Sequence, residues 1–202
     1  MIGRCRESGM TLIEIVAAML IISLMAALAL PSFRSWTANS QVRSVAETVQ
    51  NGLRAAQVEA LRRSRQTAFV LTNSAPTANA AAIANGTNWY VQVLPLFSGD
   101  TVQEPVVPTS GSFGKNVSGV AVTGPAQVCF NSMGRLVTNA NASFAGSSCS
   151  APASVTNYDV TRANADHPLE VQVQPSGQIR ICDKTRTLSA TAPDGCVEGN
   201  NG

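Results

Sequence analysis

Histidine is almost missing from this chain: His167 is the only one in 202 residues. Without a second imidazole, a nucleophile motif or a glycine-rich phosphate loop after a strand, the usual layouts of acid–base, nucleophilic and phosphoryl-transfer catalysis have nothing to rest on. No enzyme is indicated, and Asp166-His167-Pro168 reads as a polar turn before a strand. Charge is scarce too, at 13% of residues with a formal net charge of +2. Beyond Arg65 there are six basic and eight acidic residues, so the larger part of the chain is slightly acidic. A broadly basic nucleic-acid surface is thereby excluded. No two cysteines stand at C-x-x-C spacing, which with a single histidine argues against a zinc site. Neither a metal nor a cofactor is expected.

What the chain does have is one long apolar run. Between Ile15 and Leu30 the only polar residue is Ser23, and Pro31 ends the run. Glu14 stands at its head, five residues after Gly9. Positions 10–31 are long enough to cross a bilayer as a helix. Arg4 and Arg6 precede the span, so the first residues stay in the cytoplasm and the bulk of the chain lies outside. A lone carboxylate at membrane depth costs about 2.5–3.5 kcal/mol on insertion scales, so Glu14 awaits a positive group, most naturally one on another chain.

These residues carry a resemblance. Arg4, Arg6, Gly9, the stretch Met10-Thr11-Leu12-Ile13-Glu14 and Pro31 resemble the N-terminus of a class III signal peptide of the type IV pilin superfamily. The resemblance implies that residues 1–9 are a prepilin leader, that a prepilin peptidase cuts between Gly9 and Met10, and that Met10 is then N-methylated. It implies that Glu14 pairs with the terminal amine of a neighbouring subunit, and that a proline near Pro31 is usual. Because the cut precedes the apolar core, the span is retained, unlike that of an ordinary secretory signal. The leader takes Arg4, Arg6 and Glu7 with it and leaves a net charge of +1. The expected location is the inner membrane, single-pass with a periplasmic head, and later the pilus at the cell surface, at its tip.

The organisation follows in four parts. After the leader, residues 10–64 read as one helix, of which 10–31 is the transmembrane and assembly half. At 1.5 Å per residue it forms a rod on the order of 80 Å. Pro31 removes a backbone donor and should kink the rod. In the amphipathic half, 32–65, Val42, Val45, Ala46, Val49, Leu53, Ala56 and Ala60 follow three- and four-residue steps and predict one core-facing stripe. This half also holds six arginines against Glu47 and Glu59, suited to anionic lipid heads or to acidic faces of adjacent subunits.

Residues 66–202 predict a mainly antiparallel β head, making the fold α+β. Strand-like runs are 66–72, 89–95, 117–123, 127–130, 135–138, 169–174 and 178–182. Pro175-Ser176-Gly177 reads as a hairpin turn between the last two, and Asn131-Ser132-Met133-Gly134 as another turn. Residues 73–88 read as a mobile loop, 98–116 as a weakly ordered connection, and the last Gly-Asn-Asn-Gly as a frayed tail. Once Cys5 leaves with the leader, Cys129, Cys149, Cys182 and Cys196 remain, an even number in a compartment that permits disulfides. Shorter loops cost less entropy to close, which favours Cys129 with Cys149 and Cys182 with Cys196.

The head is similar in layout to the GspH/FimT group of minor pilins and pseudopilins, on the strength of Met133-Gly134-Arg135 in a strand–turn–strand and a late Gly-x-x-Arg-x-Cys. Members sit at or near the tip of type IV pili or of the type II secretion pseudopilus and help to start assembly. The resemblance implies other pilin subunits, the prepilin peptidase and inner-membrane lipid as partners. The expected function is a minor pilin that primes assembly and supports pilus biogenesis and twitching. One alternative is a type II secretion pseudopilin of the H type. Another is a DNA-binding subunit for natural transformation. DNA-binding members use a Gly-Arg-x-Arg motif, where this chain reads Gly177-Gln178-Ile179-Arg180, with Lys184 and Arg186 following. Those three cations would hold double-stranded DNA through phosphates, without sequence preference. The competing reading is a solvated strand in which Arg180 is paired.

Overall fold

The computed structural model describes residues 10–96, 100–102, 106–113, 119–144, 147–149 and 154–197. The leader with Gly9, parts of the 98–116 connection and the C-terminal tail lie outside them. Helix α1 runs Leu12–Arg63, 52 residues. Its end is a left-handed Ser64 (φ 52°), with the Arg65 N–H bonded to the Ala60 carbonyl at 3.2 Å, which satisfies an otherwise orphan carbonyl. The axis bends by 42° between Leu12–Ala27 and Ser32–Arg63. Among the described residues no single straight helix is long and apolar enough to cross a membrane; the two parts together pass by length and composition.

Two sheets wrap the second half of α1. The strands are β1 (Thr67–Thr72), β2 (Asn88–Val93), β3 (Val106–Ser112), β4 (Val120–Thr123), β5 (Gln127–Phe130), β6 (Asn139–Phe144), β7 (Ser147–Cys149), β8 (Thr156–Arg162), β9 (Leu169–Val173), β10 (Ile179–Thr187) and β11 (Gly195–Cys196). One sheet has the order β3-β2-β1-β5, the other β11-β10-β9-β8-β4, and β6 and β7 form a hairpin. All pairings are antiparallel except β10 with β11.

The seven stripe residues of α1 are all buried and meet the inner faces of both sheets. Phe69 of β1 links the layers: its ring lies 5.7 Å from Trp89 of β2 and 5.8 Å, edge-on, from Tyr158 of β8. Each such side chain contributes about 1.5–3 kcal/mol by leaving water, so the helix half that begins near Ala38 is inseparable from the head.

Both outer faces are covered, each with a disulfide. Over the first sheet, Ala68, Val70, Tyr90, Leu94, Cys129 and Cys149 form a second apolar cluster, and the Cys129–Cys149 bond (Cα–Cα 5.8 Å) holds β7 against β5. Over the second, residues 194–197 form a strap fastened by Cys182–Cys196 (Cα–Cα 5.1 Å). Gln172 seals the strap, donating from Nε2 to the Val197 carbonyl at 2.7 Å and accepting the Val197 N–H at 3.0 Å.

The head departs from the sequence expectations in specific places. Strand β8 was not expected, and β3 lies inside the segment read as a connection. Residues 135–138 reduce to a single bridge, Leu136 to Phe130. Residues 73–88 carry no strand before Asn88, and the loop is fastened to the sheet at several points. The Tyr90 hydroxyl donates to the Ala80 carbonyl at 2.7 Å, the Asn79 N–H to Gln92 Oε1 at 2.8 Å, and the Ile83 N–H to the Leu71 carbonyl at 2.9 Å. Outward-facing Tyr90 and Gln92 of β2 therefore pin the loop as the cover of the first sheet.

Candidate functional site

The N-terminal half of α1 stands clear of the head. Met10, Leu12, Ile13, Met19, Leu20, Ile22, Leu24 and Met25 are each about two-thirds exposed or more. Such a run of bare apolar side chains needs lipid or other helices around it. Glu14, in the first turn, is the only acidic residue between Met10 and Glu47. It sits at the positive end of the helix dipole. No partner for it lies within the chain among the described residues.

The two head motifs meet at the stem. Gln57 is the polar neighbour of stripe residues Leu53, Ala56 and Ala60, and its Nε2 donates to the carbonyls of Gly134 and Gly177, both at 2.8 Å. Gly177 has φ +92°, and a Cβ there would lie 2.0 Å from the Gly134 oxygen and 2.7 Å from Gln57 Nε2. Asn131 Oδ1 shapes the other loop by accepting the N–H groups of Met133 and Arg135, each at 3.0 Å. The knot thus explains the glycines of Met133-Gly134-Arg135 and Gly177-Gln178-Ile179-Arg180 as the places where two turns press against one helix side chain. Sequence reading passed over Gln57. A glutamine on the edge of an apolar stripe was the available signal.

The three C-terminal cations are occupied. Arg180 Nη2 donates to the Gly195 carbonyl at 2.6 Å, within the strap. Lys184 pairs with Asp159. Arg186 bonds Asp194 at 2.8 Å and lies 4.0 Å from Asp183. Two of the three are thus matched by carboxylates, and Arg180 is turned onto a neutral backbone carbonyl. Burial pushes the Glu170 carboxyl up, with the Asp159 carboxylate adding to it, while Gln172 and Lys184 oppose. Burial also acts on Asp183, but the Thr185 hydroxyl and N–H and the His167 ring together hold it below the usual aspartate range. His167 is an exposed partner of Asp183, at 3.3 Å. Glu170, Cys182 and Cys196 come close enough together to suggest a metal ligand set, yet both sulfurs are spent on the disulfide.

Further along the stem, Glu59 holds both Arg62 and Arg63, and the Arg62 bond draws its carboxyl below the usual value against the effect of burial. Arg65 pairs with Asp100. Only part of the arginine-rich stem is therefore turned outward.

Residues 4–30 match the prokaryotic N-terminal methylation motif, and residues 45–177 match the family described as type II transport protein GspH. The chain belongs to the GspH family. Its members are pilins and pseudopilins, structural proteins that associate with other pilins, and this chain carries the family's prepilin processing motif ahead of its head. The Pseudomonas aeruginosa (strain PAO1) type IV minor pilin FimU is a structural relative, 15% identical, with a TM-score of 0.50 over 80% of this chain and 99% of that one. A second crystal form of FimU is 14% identical and aligns over 77% and 99% with a TM-score of 0.47. The likeness is one of fold. No curated protein sequence matches the chain.

Proposed function

We propose that this GspH-family chain is a minor type IV pilin that primes filament assembly at or near the tip. Cleavage between Gly9 and Met10 releases the amine of Met10, which is then methylated, while the apolar half of α1 keeps the subunit in the inner membrane with its head in the periplasm. Pro31, which cannot donate to the helix ladder, accounts for the bend above Ala27. On entering a filament, Glu14 aligns with the terminal amine of a neighbouring subunit, where low dielectric strengthens the pairing enough to set register. Helix packing supplies the remaining affinity.

The observation that carries this reading is the division of α1: among the described residues the first buried side chain is Ala38, and from Met10 to Ala27 the chain is an exposed, mostly apolar rod with one acid. A second reading, an H-type pseudopilin of type II secretion, is favoured by the family description itself. Deleting the gene in its host separates the two. Loss of surface pili and twitching with normal protein export supports the pilin reading; retained pili with blocked export overturns it in favour of the pseudopilin. Capture of double-stranded DNA draws little support, because Arg180, Lys184 and Arg186 are already partnered.

A further inference from the structure

Phe33 and Trp36 form an exposed aromatic pair just beyond the apolar run, 64% and 66% exposed with ring centroids 5.8 Å apart. Beside them, where stem meets head, lies a groove of about 400 Å³ lined by Trp36, Asn39, Ser40, Arg43, His167 and Leu169. The groove is built: Asn39 Oδ1 accepts the N–H groups of Asp166 and His167 at 2.9 and 3.2 Å, which seats the β8–β9 turn on the stem.

We infer that this aromatic lip and groove are a seat for phospholipid headgroups, holding the head on the membrane surface before the subunit is drawn into a filament. The inference rests on the membrane-anchored reading above. Nineteen residues from Leu12 to Leu30 rise about 28 Å as helix, close to the roughly 30 Å of a hydrocarbon core. Trp36 then stands about 9 Å further along the axis, and a stem inclined by 42° turns this into a height of about 7 Å. A headgroup layer is about 5–8 Å deep on each side. Helical side chains lean toward the N-terminus, so both rings tilt back toward the bilayer. Amphipathic aromatics favour this depth. The Trp36 indole N–H, the Ser40 hydroxyl and the Arg43 guanidinium supply donors for a phosphodiester, and Leu169 an apolar floor.

Charge around the groove is balanced. Arg43 is paired with Glu47 on the stem, His167 lines the groove from the turn and meets Asp183 of β10, and Asp183 lies 4.0 Å from Arg186. The seat therefore takes zwitterionic headgroups as readily as anionic ones.

Tryptophan fluorescence of the full chain in vesicles tests this, because Trp89 is in the core at 4% exposure and Trp36 is the other of the two tryptophans. Vesicles of phosphatidylcholine, with or without phosphatidylglycerol, carry a nitroxide quencher on the headgroup or midway down the acyl chain. Trp36 emission should fall several-fold more with the headgroup quencher than with the mid-chain one, equally in both lipid mixtures, and Trp36→Phe should leave emission that neither quencher touches. Ser40→Leu, which fills the groove from an exposed position, should lessen headgroup quenching. A chain that co-floats with vesicles while Trp36 stays unquenched overturns the seat and leaves the anchor standing. Headgroup quenching undiminished in Ser40→Leu overturns the groove. A chain that does not co-float overturns the anchored reading and this inference with it.

Discussion

Replacing Gly177 by alanine should weaken the head substantially, although it adds a single methyl group. The backbone there has φ +92°, and the new Cβ would fall 2.0 Å from the Gly134 oxygen, so one of the two turns must move off the stem. An L-residue held at positive φ costs about 1–2 kcal/mol. Losing both bonds from Gln57 costs about 1 kcal/mol each. The sum, about 3–4 kcal/mol, is a large part of the roughly 5–15 kcal/mol that stabilises a typical domain. Urea unfolding of residues 35–202, disulfides intact, is the assay, since no side chain before Ala38 is buried among the described residues. At a slope of about 2 kcal/mol per M, the midpoint should drop by about 1.5–2 M. Gln57→Leu should lose about 2 kcal/mol, the two hydrogen bonds alone. The double variant should lose clearly less than the sum of the singles, because either change breaks the same contact. A Gly177→Ala head within 0.5 kcal/mol of the original, or additive singles, would show that the two turns do not depend on Gln57.

Four further outcomes are expected. Thiol titration of the denatured, unreduced head should find almost no free cysteine; reduction should cost about 3 kcal/mol for each of the two loops on the loop-closure model, read as a lowered urea midpoint. Glu170 holds its proton to higher pH in the folded head than when unfolded, so its contribution favours the fold at acid pH and is lost as pH rises from 4.5 toward its raised folded value. Glu170→Gln should remove that decline and leave the head more stable at pH 7; an unchanged pH profile of the midpoint would refute it. Glu59 and Asp183, both shifted down, act in the opposite sense: their stabilisation is present above 4.5 and 3.8 respectively and is lost as pH falls below. DNA titrated against the full chain at two salt concentrations should show no salt-sensitive binding that an Arg180→Ala, Lys184→Ala, Arg186→Ala variant removes, and such binding would reinstate the DNA reading.

The parts of the fold that could be read from sequence are those whose period is strong. The α1 stripe from Val42 to Ala60 repeats over five turns, and Val171, Val173, Ile179 and Ile181 alternate across the tight turn at Pro175-Ser176-Gly177. Both disulfide pairings followed from loop length alone, and the structure forms the same two. Strand β8 escaped notice because Tyr158 and Val160 are its only large apolar residues; its outward positions are Asn157, Asp159 and Thr161, polar because they face Glu170, Gln172 and Lys184 rather than a core. Strand β3 carries Pro108 and Gly111, which suit an edge strand and disguise it. Strand β11 is two residues held by Cys196, too short for any pattern. The covering role of residues 73–88 was hidden for a different reason. Their Ala- and Asn-rich composition has no strand period, and the groups that pin them, Tyr90 and Gln92 of β2 and the Leu71 carbonyl of β1, reach them only across the face of the paired strands. The occupied state of Arg180, Lys184 and Arg186 was likewise hidden, since their partners Gly195, Asp159 and Asp194 come together only through the strap and the β8–β9–β10 pairing.

The central claim is that the exposed half of α1 enters a filament with Glu14 setting its register. The direct test is the share of the chain recovered in sheared filaments against that left in the membrane, for the original chain and for Glu14→Ala. Retention in the membrane with strongly reduced filament recovery, and partial rescue by Glu14→Asp, is the result this account requires. Equal recovery of Glu14→Ala in filaments would contradict it.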